Sequence, residues 1–135
     1  MESQCHMDLV DLIVEYVKKR VSSEEYSFIQ IDSSGQSGTM RVSDNYVPDV
    51  VYRTSNKLII GEAKTYEDFE RKHSKDQFDS YLKECNYFEG SAELIVAIPW
   101  QLLITAQNYF RRLKKKNGME VEVIVLDDMG SEKII

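Results

Sequence analysis

Apolar positions repeat first at helical and then at strand spacing along this chain. In residues 8 to 21, Val10, Val14, Val17 and Val21 recur at helical intervals, and Leu9, Ile13 and Tyr16 widen the stripe. Asp8 and Asp11 come early and Lys18, Lys19 and Arg20 late, the order the helix dipole favours. Tyr26 to Ile31 alternates and predicts a strand, and residues 32 to 46, rich in Ser and Gly, predict a loop with a short edge strand at Thr39 to Val42. Asp49 to Arg53 and Lys57 to Ala63 predict two strands joined tightly through Thr54, Ser55 and Asn56 as a hairpin. Residues 65 to 73 are charged and without apolar period. Ser74 and Gln77 form an S-x-x-Q capping pattern that predicts a helix through about Phe88, with Phe78, Leu82 and Cys85 facing inward. Residues 93 to 98 are almost continuously apolar, as in a buried strand. Pro99 opens a third helix with Leu103, Ala106, Phe110 and Leu113 on one face; Asn117-Gly118 stops it, and Met119 to Leu126 predicts a last strand.

A helix lying between two strands favours a parallel crossover packed on the sheet. The expected class is therefore α/β, a mixed central sheet with helices on both faces. One domain over residues 1–135 suits the length, and no repeat interrupts it.

Hydrophobic residues make up 42% of the chain and charged residues 30%, ordinary for a globular protein. No apolar run approaches the ~20 residues of a membrane-spanning helix. Met1 to Met7 is polar and unlike a secretory signal, so a cytoplasmic location with no membrane partner is expected. Cys5 and Cys85 lack metal-type spacing and read as free thiols. The net charge of −6 counts against a protein that coats nucleic acid, yet leaves room for an enzyme that grips a phosphate backbone locally.

The chemistry concentrates in PDVVYRTSNKLIIGEAK, residues 48 to 64. In a hairpin the start of one strand lies beside the end of the other, which brings Asp49 next to Glu62. Glu62 and Lys64 are two apart and share a sheet face, while Ala63 points the other way. Two carboxylates about 4 Å apart repel by roughly 4 kcal/mol at an effective dielectric near 20, so they need a cation between them. Oxygen-only ligands favour Mg²⁺ or Mn²⁺ over zinc. Such an ion polarises a phosphate oxygen and acidifies a water. Lys64 would hold that water and stabilise the growing charge, and the Ala63 carbonyl would add a ligand. The bland alternative makes Asp49 a strand-entry residue and Glu62–Lys64 a surface ion pair.

Pro48-Asp49 followed by Glu62-Ala63-Lys64 resembles the PD-(D/E)XK nuclease superfamily, and the element order over about residues 8 to 98 resembles its restriction-endonuclease-like αβββαβ core. The resemblance implies Mg²⁺-dependent hydrolysis of phosphodiester bonds in DNA, less often RNA. Gln77 and Tyr81 form the Q-x-x-x-Y pattern that RecB-type nuclease domains carry after the motif, for contacting a phosphate or bracing Lys64; capping by Gln77 and packing by Tyr81 explain the pair equally well. Glu15 on the first helix and Ser34-Gly35 are similar to features of archaeal Holliday junction resolvases. Glu15 would support the metal site, although pairing with Lys19 also accounts for it. The same resemblance suggests a homodimer.

Arg71, Lys72, His73 and Lys75 follow the ExK strand and are expected to overhang the site and contact nucleic acid together with Ser34 and Tyr81. Arg111 to Lys116 is the densest basic run, and reads as helix-end cations in water before phosphate contacts. Trp100 reads as packing, not as a base-stacking platform. Two rivals stand beside a nuclease: a non-cutting nucleic-acid-binding or assembly subunit on the same fold, and an unrelated interaction domain in which Asp49 and Glu62 lie far apart.

Overall fold

A computed structural model describes residues 3–32 and 46–135. The expected edge strand at 39–42 and Ser34 lie outside the described residues. The first helix, α1 (Gln4–Arg20), begins one turn earlier than the valine stripe suggests, because the Ser3 hydroxyl caps it by accepting from the His6 amide at 3.1 Å. Tyr26 to Phe28 belong to a 3-10 helix, Ser23–Phe28, rather than to a strand. Glu24 and Glu25 occupy its first turn and the Glu25 amide bonds the Ser22 carbonyl at 2.9 Å, a local preference that outweighed the alternation. Only Ile29–Ile31 remain as β1.

The hairpin forms as β2 (Val50–Arg53) and β3 (Lys57–Ala63). The charged stretch that follows folds into a short helix, α2 (Tyr66–Phe69). Helix α3 (Lys72–Tyr87) starts ahead of Ser74, whose hydroxyl donates to the Asp68 carbonyl at 2.6 Å and ties α3 to α2 instead of capping it. Strand β4 (Ser91–Ile98) leads through Pro99 and a 3-10 turn, Trp100–Leu102, into α4 (Leu103–Asn117). Gly118 ends α4 at φ 61°, the left-handed position glycine tolerates best. Two strands complete the chain, β5 (Glu122–Asp127) and β6 (Glu132–Ile134), the second unanticipated. The Asp127 carboxylate accepts from the Met129 and Ser131 amides and closes the turn that creates it.

Among the described residues, six strands lie in chain order in one open mixed sheet. β3, β4 and β5 are mutually parallel and the remaining pairs antiparallel. Two successive crossovers advance in the same direction, so α3 and α4 cover the same face. There Leu58, Ile60, Leu94, Val96 and Val123 meet Phe78, Leu82, Ala106 and Phe110. On the other face Ile59, Ala63, Ile95, Ala97 and Ile124 pack under Leu9, Ile13, Val14 and Val17 of α1. At its far end α1 is tied down by Arg20, which reaches the buried Glu93 at 2.9 Å. No helix among the described residues is long and apolar enough to cross a membrane.

Gly61 packs against Ile13 of α1. A Cβ there would come within 2.5 Å of Ile13 Cγ2 and 3.2 Å of Val50 Cβ. The Ile13 methyl is attached close to a backbone held by the rest of α1, so it has little freedom to retreat. Gly61→Ala is therefore expected to cost about 1–3 kcal/mol. Urea unfolding of Gly61→Ala, Ile13→Ala and the double variant measures it as a cycle, in which Ile13→Ala should relieve most of the alanine penalty. Purely additive costs would mean that the two residues do not meet.

Candidate active site

Strand β3 delivers the candidate residues by alternation. Leu58 and Ile60 face α3 and α4, and Glu62 continues that row at the strand's C-terminal end, while Ala63 turns to the α1 face. Val50 pairs with Gly61, which sets Asp49 opposite Glu62. Asp49, Glu62 and Lys64 are all buried. The strand register places the Asp49 and Glu62 carboxyls side by side, and the Asp49 charge acts on Glu62, as the hairpin argument requires and an unrelated interaction domain would not.

Each side chain has an identifiable support. Asp49 Oδ2 accepts from the Ala63 amide at 2.9 Å and lies 3.1 Å from His6 Nε2. Glu62 Oε1 accepts from the Tyr81 hydroxyl at 3.0 Å, and its Oε2 is 3.5 Å from Lys64 Nζ. Lys64 Nζ donates to Gln77 Oε1, and its amide donates to the Ala97 carbonyl at 3.0 Å, which holds the ends of β3 and β4 side by side. Gln77 and Tyr81, one turn apart on α3, thus brace Lys64 and Glu62 respectively. Tyr81 is fully buried, so its expected contact with nucleic acid is replaced by this internal bond.

The other expected residues scatter. Glu15 is exposed and lines a surface cleft with Tyr16, Lys19 and Glu132, more than two helical turns along α1 from His6, and does not join Asp49. Arg71 borders the opening beside Asp49, a cavity of about 550 Å³ that Ser3, His6 and Thr65 also line. Lys72 pairs with Asp76 at 2.8 Å, Lys75 with Glu70 at 3.4 Å, and His73 stands edge-on to Tyr46. Trp100 is 53% exposed, which corrects its reading as packing.

His6 is the site residue the sequence reading missed. Carrying the α1 stripe back one turn from Leu9, Val10 and Ile13 would have placed it on the inner face, and Ser3 three residues earlier is a capping signal. What hid it was the polar composition of the first seven residues.

Burial raises the Glu62 pKa well above the ordinary 4.5, the Asp49 charge adds to the rise, and Lys64 opposes it. Burial and the Glu62 carboxylate likewise push the Tyr81 hydroxyl far up, so it stays protonated and donates. The folded protein holds the Glu62 proton beyond the pH at which the unfolded chain releases it. Across that window the folded state binds more protons, and stability falls as pH rises. In chelator, wild type is expected to lose melting temperature as pH is raised above about 4.5, and Glu62→Gln to lose less. Calorimetry across pH checks this; parallel profiles would show that Glu62 is not the group responsible.

A divalent cation would be an alternative to that proton. Two buried carboxyls side by side offer hard oxygen donors, and Mg²⁺ commonly binds through one or two carboxylates and keeps several waters. Asp49 and Glu62 would supply two such donors, the number Mg²⁺ commonly takes from protein. No family model, curated protein or solved structure significantly matches this chain.

Proposed function

We propose that this protein is a metal-dependent nuclease that hydrolyses phosphodiester bonds in DNA, on a restriction-endonuclease-like core of the PD-(D/E)XK kind. One observation carries the reading: Asp49, Glu62 and Lys64 converge, buried, at the C-terminal end of β3, each oriented by a second group. Asp49 and Glu62 would hold Mg²⁺ or Mn²⁺, which when bound neutralises phosphate charge and acidifies water. The Ala63 amide and His6 fix the Asp49 carboxylate; Tyr81 fixes that of Glu62. Lys64, aimed by Gln77, orients the attacking water and donates to the phosphoryl oxygen on which charge grows. Water oxygen bonds to phosphorus as the bond to the departing sugar oxygen breaks.

The test is cleavage of labelled linear, circular, single-stranded and branched DNA with Mg²⁺ or Mn²⁺. Cutting that stops in chelator supports the reading; an intact folded protein that cuts none of them overturns it. A non-cutting binding or assembly subunit is favoured by one fact: among the described residues, no group of three or more His, Cys, Asp or Glu is placed to hold a metal ion. Mg²⁺ separates the two, because a ligand at 100 times its Kd stabilises by about 2.7 kcal/mol. A working site predicts that Mg²⁺ raises the melting temperature of wild type and not of Glu62→Gln.

A further inference from the structure

The outward face of α4 is strongly basic. In a chain of net charge −6, this helix carries Arg111, Arg112, Lys114, Lys115 and Lys116 and no carboxylate. Around α2 and α3, by contrast, the cations are paired: Arg71 with Asp68, Lys72 with Asp76, Lys75 with Glu70 and Lys83 with Asp79. None of the α4 cations is in an ion pair with a described residue, and only Lys114 is engaged, donating to the Ile135 carbonyl at 2.7 Å. Compensation of the helix dipole does not account for this. It acts within the last turn, where the three lysines stand, whereas Arg111 and Arg112 precede it.

The cations continue an exposed stripe that begins at an aromatic ring. Ile104, Asn108, Arg111, Arg112 and Lys115 are exposed and recur at helical spacing on α4, opposite the buried Ala106 and Phe110, and the exposed Trp100 lies in the 3-10 turn that leads into the helix. Trp100 and Ile104 are 53% and 63% exposed. The top of the stripe stands at the sheet edge that carries the candidate active site. The Lys64 amide bonds Ala97 of β4, Trp100 follows two residues after that strand, and its amide is fixed by Asp128 at 2.9 Å.

We propose that the outer face of α4 is a track for a single-stranded nucleic-acid segment, with an unpaired base stacked on Trp100 and phosphates held by Arg111, Arg112 and Lys115. An exposed indole stacks on any base whose face is open, and duplex pairing covers those faces. From Ile104 to Lys115 the stripe on α4 runs roughly 16 Å at 1.5 Å per residue, the reach of a few nucleotides. An anionic membrane would also attract a basic face with an exposed tryptophan. Nucleic acid is favoured because the track starts at the edge where Lys64 lies. In that respect the inference rests on the nuclease reading and narrows its substrate to DNA with a single-stranded portion.

Trp100 is the only tryptophan in the chain, so it reports directly. In chelator, an oligothymidylate is expected to quench its emission, and a matched duplex much less. Trp100→Ala should weaken binding of labelled oligothymidylate, read by anisotropy, about five- to 150-fold. The triple variant Arg111→Ala, Arg112→Ala, Lys115→Ala should lower the slope of log affinity against log salt by about 2, near 0.7 per phosphate contact. These substitutions are at exposed positions, and circular dichroism checks that the variants fold. Binding without quenching, an unchanged salt slope, equal affinity for the duplex, or quenching by phosphatidylserine vesicles and not by the oligonucleotide each overturns the proposal. The binding assay includes no metal, so it is independent of cutting. Quenching without cleavage activity would leave the track and remove the nuclease; cleavage without quenching would do the reverse.

Discussion

Lys64→Ala is expected to slow DNA cleavage by about 100- to 1,000-fold, the loss typical of removing one preorganised donor at a developing oxyanion. The side chain is buried between two partners, with Glu62 Oε2 3.5 Å away and Gln77 accepting from its ammonium. Removing it strips the nearest positive charge from two facing carboxyls, so Glu62 should retain its proton to still higher pH. Arginine is not expected to rescue it, because a planar guanidinium does not match a site shaped for one compact ammonium. Gln77→Ala should give a smaller loss, carried by kcat rather than KM, since Gln77 acts by positioning Lys64. Single-turnover rates with saturating Mg²⁺, alongside melting temperatures, check both. A folded Lys64→Ala protein that cuts at the wild-type rate would remove this lysine from the mechanism.

Phe78→Ala is expected to have the largest effect on stability, about 3–5 kcal/mol. Its ring is fully buried and centres an aromatic cluster, 5.0 Å from Phe110, 5.6 Å from Phe69 and 6.1 Å from Tyr109. These four rings lock α2, α3 and α4 together, and α3 is the helix that carries Gln77 and Tyr81. A domain of this kind is held by roughly 5–15 kcal/mol, so the variant should approach the limit of folding. Urea unfolding measures the loss. A cost below about 1 kcal/mol would show that the neighbouring rings refill the space and that the cluster does not anchor α3.

Much of this arrangement follows from one-dimensional pattern. The α1 stripe, the alternation of β3, the apolar run of β4 and the glycine stop after α4 each reflect a local rule, so their elements lie within a few residues of expectation. The meeting of Asp49, Glu62 and Lys64 was also legible, since a tight hairpin converts sequence separation into adjacency and a period of two assigns faces. Local signals misled where two competed. Ser74 and Gln77 have capping spacing, yet both side chains are buried: Ser74 bonds back to α2 and Gln77 turns to Lys64.

The sequence by itself determined the mixed α/β class, the helices on both faces and the carboxylate pair at the end of the hairpin. Those outcomes rest on periodicity and on contacts across a short turn. Tertiary structure alone decided that His6 and not Glu15 approaches Asp49, that Tyr81 is an internal donor, and that Trp100 is exposed at the head of α4. Each depends on how far along its axis, and with which face, a helix docks on the sheet. Helix docking is set by the fit of side chains such as Ile13 against Gly61 or Phe78 against Phe110, and such fits join residues that no local spacing relates.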